Sequence, residues 1–342
     1  MCAKKKSAKK SFMIVLSIVL ALVLAIMLAG TYYASTFLNR INRVEDVPQE
    51  TLTHEEVELI LAETDPVEEE FTGETLNPED VTLPEEPVEV IEKKDEVVNI
   101  LLIGQDRRPG QGRQRSDAMI LCTVNKDQKT LTMTSFLRDT YVMLPEYNGQ
   151  KYGGNRLNVP YAVGGMEMLD QCLLDNFGVV VDHNIEVDFS GFEKIVNALG
   201  GVDIELTATE AAWIGGVGSG MNRLNGEKAL EYSRIRKLDS DFGRANRQRK
   251  VLMAMMERAR NLSLNELLEL TDTIFPMLTT DMSNGDIIKY VMDFFPLLMD
   301  LQITTQSVPQ DGEYYFGHVN GMSVLIPDME KINTRLRDTI GS

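Results

Sequence analysis

Residues 97–139, VVNILLIGQDRRPGQGRQRSDAMILCTVNKDQKTLTMTSFLRD, decide how this chain folds. VVNILLIG (97–104) is a continuous apolar run closed by a glycine, the pattern of a strand covered on both faces. AMILCTVN (118–125) and LTMTSFL (131–137) repeat it, joined by the turn-forming Lys126-Asp127-Gln128-Lys129. Downstream the period changes. GGMEMLDQCLLDNFG (164–178) and FEKIVNALGG (192–201) show helical spacing with a glycine stop. Strands are expected at HNIEVDFSG (183–191), VDIEL (202–206), QITTQSVP (302–309) and SVLIP (323–327). Helices are expected over about 226–233, 244–261, 264–278 and 285–301, with a short one at the end. Strands interleaved with helices imply an α/β protein, a three-layer α-β-α sandwich around a mixed central sheet.

Upstream of Val97 the texture is different. Residues 45–96 hold 20 acidic residues against 2 lysines, which accounts for the whole formal charge of -18. Like charges repel and little apolar area offsets ordering, so an extended acidic linker over 35–96 is expected, with a short helix at Thr53–Thr64 as its main structure. Further upstream, Phe12 to Ala29 carries no charge, and 18 residues at about 1.5 Å each match the thickness of bilayer hydrocarbon. Five lysines precede this run, and Tyr32, Tyr33 and Phe37 follow it as an interfacial belt. The reading is a basic cytoplasmic tail (1–11), one transmembrane anchor (12–34), an acidic linker outside the membrane (35–96) and a folded extracellular domain (97–342). No basic cluster outside the N-terminus could neutralise a run of phosphates, so nucleic acid is not expected as a partner. Cys122 and Cys172 read as buried packing residues and not as a disulfide framework.

Charge gathers where an apolar fold should not have it, at the ends of strands. Asp106 and Asp117 flank a Gly/Arg-rich loop, and Arg138-Asp139 follows an apolar strand. EYSRIRK places Arg234 and Arg236 on one face if extended, and Asp241, Arg244, Arg247, Gln248 and Arg249 open a helix. Loops at strand ends are where α/β folds bind ligands. Arginines in number suit a polyanion, because guanidinium forks grip phosphate oxygens in pairs. Carboxylates suit Mg²⁺ bridging those phosphates. Each pair alone is better explained as a solvated salt bridge, but their recurrence along one chain argues against that. No histidine or cysteine set has metal-ligand spacing, and GxSxG, P-loop and GxGxxG motifs are absent from the sequence.

In order and spacing, NILLIGQD, RSDAMIL, SFLRDTYV, VDFSGFEKIVNALGGVDIEL, LNGEKALEYSRIRK and DFGRANRQRKVL resemble the LytR-CpsA-Psr family. The resemblance is densest over about 97–262. It implies a phosphotransferase that moves a phosphate-linked glycopolymer, such as teichoic acid or capsule, from polyprenyl pyrophosphate to a peptidoglycan sugar hydroxyl at the cell membrane. It implies that Asp106 and Asp117 hold Mg²⁺ or Mn²⁺, that Arg138, Arg234, Arg236 and Arg244 contact the phosphates with Gln248 in support, and that Asp241 acts as a base or orients an arginine. It also implies an apolar tunnel for the polyprenyl tail, for which Leu252, Met255, Met256, Phe275, Val291 and Phe294 are candidates, though ordinary core explains each of them as well. Where many members read KINAAY, this chain has RLNVPY (156–161), and no role is carried over to those positions. Two rivals stand beside the transferase: a hydrolase that releases the same lipid to water, and a non-catalytic lipid-binding regulator of the envelope.

Overall fold

The three apolar runs form neighbouring antiparallel strands, β3 (Val97–Gln105), β4 (Ser116–Asn125) and β5 (Thr130–Phe136). The computed structural model describes residues 36, 38–46, 52–62, 74–84, 86–107, 111–235, 238, 240–297 and 300–341. Around the three strands stand β1 (Asn42–Arg43), β8 (His183–Asp188), β11 (Leu278–Thr280) and β12 (Gln302–Val308). The order is β1-β11-β8-β3-β4-β5-β12, with β8 parallel to β3, β12 parallel to β5, and β11 antiparallel to β8. The sheet is mixed, as the sequence suggests.

Alternation along β4 divides the core. Met119 and Leu121 join Leu101, Ile103 and Phe136 on one face, under α2 (Val159–Phe177) and α9 (Met329–Ile340). Ile120, Cys122 and Val124 point the other way, toward Leu252, Met253 and Met256 of α6 (Asp241–Arg260) and Phe294 of α8 (Asn284–Phe294). Side chains on successive strand residues alternate faces, so one apolar run supplies both layers. Cys122 and Cys172 fall in the two different clusters and are free thiols. A satellite core joins β9 (Val202–Leu206) to α3 (Phe189–Ala198), α4 (Ala208–Ile214), α5 (Gly226–Ser233) and α6.

Several boundaries differ from the sequence reading. The strand expected to reach Gly191 ends at Asp188, whose carboxylate accepts the Gly191 N–H at 2.7 Å and starts α3. Asn158, Val159 and Pro160 open α2, where proline lacks nothing because a first-turn N–H has no intrahelical partner. Two hairpins were not expected: β6 (Tyr141–Met143) with β7 (Gly154–Arg156), and β9 with β10 (Gly220–Leu224). A third sheet pairs β13 (Tyr314–Val319) with β14 (Met322–Pro327).

The acidic segment is not the extended spacer its composition suggests, over the residues described. α1 (His54–Ala62), within the expected Thr53–Thr64 helix, packs Val57 into the main core. β2 (Glu74–Leu76) adds to β13, and Val81 and Ile91 are buried. β1 pairs with β11 at the sheet edge. Single apolar residues among the acids find partners on the domain, a contact that segment-averaged charge cannot reveal. The anchor expected at 12–34 lies outside the described residues; among the described residues no helix is long and apolar enough to cross a membrane.

Candidate functional site

The C-terminal ends of β3, β5 and β8 lie at one end of the sheet with the start of β4. This collects what the sequence scatters. Asp106 follows β3, Asp117 is the second residue of β4, and Arg138 and Asp139 follow β5. The β6–β7 hairpin pairs Arg156 with Tyr141 and so returns it to the same place. Asp241 and Arg244 come from the first turn of α6.

These residues form one polar chain. Arg138 donates through Nη1 to Asp117 Oδ1 at 2.9 Å and through Nε to Asp139 Oδ2 at 3.3 Å. Arg156 Nε lies 3.7 Å from Asp139 Oδ1, and Arg244 Nη2 lies 2.7 Å from Asp241 Oδ1. Asp139 and Asp241 are buried carboxyls close enough to influence each other and to share a proton. Burial pushes Asp241 up to about 7, reinforced by the shared proton and by the Asp139 charge. Burial would raise Asp139 as well, but the bond from Asp241 and the charges of Arg138, Arg156 and Arg244 hold it at about 2.

The guanidinium groups suit an anion. Arg138, Arg156 and Arg244 are all buried. They converge with Asp117, Asp139 and Asp241 at the sheet end. Guanidinium forks suit phosphate. The α6 N-terminus, which Ser240 does not cap through its side chain, adds the positive end of its dipole.

The remaining candidates divide. Arg234 is the C-cap of α5 and helical in φ and ψ, not extended; it lies on the rim, 3.4 Å from Asp106 Oδ2 and over the Phe189 ring. Arg236 lies outside the described residues. Gln248, one turn after Arg244, is half-buried. Arg247 and Arg249 turn inward, to the Ile235 carbonyl at 2.7 Å and to Ser307 Oγ at 3.1 Å. Of the tail candidates, Leu252, Met256 and Phe294 share the cluster under β4, whereas Met255 joins the satellite core. Val291 is 57% exposed and Phe275 half-buried.

Two residues of the network, Asp139 and Arg156, have no assigned role in the sequence reading. Asp139 was visible beside Arg138 but had no partner until α6 was placed. Arg156 has no local signal, since only the hairpin brings it in. For a divalent cation, Asp106 and Asp117 are two carboxylates at the two ends of one loop, each already facing an arginine. Among the described residues no group of three or more His, Cys, Asp or Glu side chains could hold a metal. Two hard oxygen donors still fit Mg²⁺, which takes few protein ligands and completes its shell with water and phosphate oxygens.

A family model described as the LytR_cpsA_psr family matches residues 65–338. The polyisoprenyl-teichoic acid--peptidoglycan teichoic acid transferase TagU of Enterococcus faecalis is 32% identical over 232 residues, covering 64% of this chain and 74% of that protein. TagT of Bacillus subtilis, of the same description, is 30% identical over 239 residues, covering 64% and 71%. A solved structure of TagT bound to LIIa-WTA is similar with a TM-score of 0.60 at 28% identity, covering 77% of this chain and 100% of that one.

Proposed function

The chain belongs to the LytR-CpsA-Psr family, and from that premise we propose that it transfers a phosphate-linked glycopolymer of the teichoic acid type from a polyprenyl-pyrophosphate carrier to a peptidoglycan sugar hydroxyl. The observation that carries the reading is the buried trio of Arg138, Arg156 and Arg244 around the proton-sharing Asp139–Asp241 pair. The names of the E. faecalis and B. subtilis relatives supply the polymer class and the acceptor.

In this reading the three arginines grip the pyrophosphate and neutralise charge that builds on its oxygens in the transition state. The sugar hydroxyl oxygen bonds to the glycan-proximal phosphorus, the bond to the bridging oxygen breaks, and polyprenyl phosphate leaves with that electron pair. Asp241, once ionised, takes the hydroxyl proton, and Asp139 holds it in place. Asp106 and Asp117 would hold Mg²⁺ or Mn²⁺, which would add positive charge against the departing phosphate. Residues 12–34 are proposed as a single-pass anchor with the N-terminus in the cytoplasm and the folded domain outside.

The test is product analysis by mass spectrometry. Full-length chain is incubated with a polyprenyl-pyrophosphate oligosaccharide, Mg²⁺ and peptidoglycan fragments, in parallel with Arg138→Ala and with metal omitted. A phosphodiester-linked glycan on the peptidoglycan, lost in Arg138→Ala, is expected. Glycan phosphate released without an adduct would make the protein a hydrolase. Tight lipid binding without turnover would sink the enzyme reading in favour of a regulator.

A further inference from the structure

A cavity of about 330 Å³ takes part of its lining from the described residues of the Asp106–Asp117 loop. Arg107, Gln111 and Arg113 of that loop line it, with Tyr147, Tyr161 and Glu186 opposite. Nothing in the phosphate chemistry uses these residues, yet the cavity is built with care. Glu186 is 6% exposed and accepts hydrogen bonds from Tyr161 Oη and Gln105 Nε2, with Arg107 Nη2 at 3.5 Å. Burial, and then the Glu186 charge, raise the Tyr161 phenol well above its ordinary range, so it stays a donor. Arg113 fixes the wall, donating to the carbonyls of Ala162 at 3.3 Å and Val163 at 2.7 Å. α2 makes room by kinking at Gly165 (φ +66°), where a Cβ would stand 2.8 Å from Arg113 Nη1.

The lining differs in kind from the arginine site. Among the described lining residues two guanidinium groups are matched by the carboxylates of Glu167 and Glu186, a balance that does not favour a phosphate. It offers instead a fixed carboxylate acceptor, an amide, guanidinium donors and a tyrosine ring, the mixture that recognises hydroxyl groups on a compact ring. Part of its wall and the two carboxylates beside the arginines belong to the same stretch of chain, Asp106 to Asp117.

We propose that this cavity is the acceptor subsite, seating a neutral sugar ring of the peptidoglycan with Glu186 and Arg107 positioning its hydroxyl groups. The inference rests on the transferase reading and deepens it. The experiment follows two products of the full-length chain separately: adduct on a graded series of peptidoglycan disaccharide, and glycan phosphate released to water with no acceptor present. In Glu186→Gln and Arg107→Ala, the acceptor concentration for half-maximal transfer is expected to rise roughly tenfold, the scale of one lost hydrogen bond to a charged group. Release to water is expected to stay within about twofold, since neither residue touches the phosphates. Unchanged acceptor dependence in both variants would overturn the proposal. So would a rise in donor requirement alone, which would give the cavity to the donor glycan. Should Glu186→Gln unfold in a thermal melt, the more exposed Arg107→Ala decides. Failure of the transferase reading is distinguishable, because wild type would then form no adduct at any acceptor concentration; direct titration of the disaccharide by calorimetry, wild type against Arg107→Ala, still tests the subsite.

Discussion

Asp241 and Asp139 are a matched pair of opposite sign, and pH should separate them. Asp241 binds its proton more tightly folded than unfolded, so its stabilising contribution is complete below the unfolded carboxylate range. That contribution is lost as pH rises through about 7. Asp139 is shifted down, and its contribution persists until pH falls toward about 2. Between about pH 4 and 7, therefore, Asp241 makes stability fall with rising pH, and Asp241→Asn should flatten that slope in denaturant titrations. Activity should run the other way. The base form appears only above about 7, so kcat/KM should climb through that pH in wild type. Asp241→Asn should lose this limb and about 10²–10⁴ in rate, the usual yield of a positioned general base. A limb that survives in the variant would assign the titration to another group. Arg138→Ala should lower kcat by roughly 10²–10³. Arg138→Lys should rescue little of it, because a point charge cannot reproduce bonds to both Asp117 and Asp139.

At the scale of the element, α6 does two jobs with one row of arginines. Arg244 and Gln248 are four apart on the face that meets the site, while Arg247 crosses to the Ile235 carbonyl and to Glu210 at 3.6 Å. Arg247→Ala removes the cation facing buried Glu210, whose other oxygen keeps its bonds from Thr207, and should cost about 3 kcal/mol, read as a lowered denaturation midpoint. Arg244→Ala should move the midpoint less, because Asp241 can keep its proton when its partner is lost, and abolish transfer; the reverse pattern would exchange their roles. This division was only half legible in DFGRANRQRK. Helical spacing showed which arginines share a face, but not which face meets the sheet end. The same limit explains Arg156 and Glu186. Strand-end charge marked Asp106, Asp117 and Arg138, each at the boundary of an apolar run, and the charged opening of a helix marked Asp241 and Arg244. Arg156 and Glu186 reach their neighbours through a short hairpin and a parallel strand pairing, contacts fixed by tertiary topology alone.

For the whole molecule, the segment between the apolar N-terminus and the domain sets where the site can stand. Read as a linker over 35–96, it would let the domain roam far from the bilayer. β1 changes that geometry: Asn42 and Arg43 lie in parallel register with Thr279 and Thr280, and Arg43 donates to the Met282 carbonyl and to Asn284. Counting from the end of the proposed 12–34 anchor, the seven residues 35–41 separate the membrane from this strand. Fully extended, they span at most about 25 Å. The acidic residues that follow then form an excursion that returns to the domain through Val57, Leu76 and Ile91, not a stalk beneath it. Val57→Ala should accordingly destabilise the domain by about 1–2 kcal/mol, although it lies far from the site in sequence. The strand itself is open to covalent test. Neighbouring strands place paired residues within disulfide reach, so Asn42→Cys with Thr279→Cys should cross-link under mild oxidation in the full-length chain. The native Cys122 and Cys172, held in different clusters, should stay reduced. A cross-link with retained transfer would mean that the enzyme works with its sheet edge tethered near the bilayer, where a polyprenyl carrier is confined. Absence of the cross-link, with Val57→Ala neutral, would restore the flexible linker and release the domain from the membrane surface.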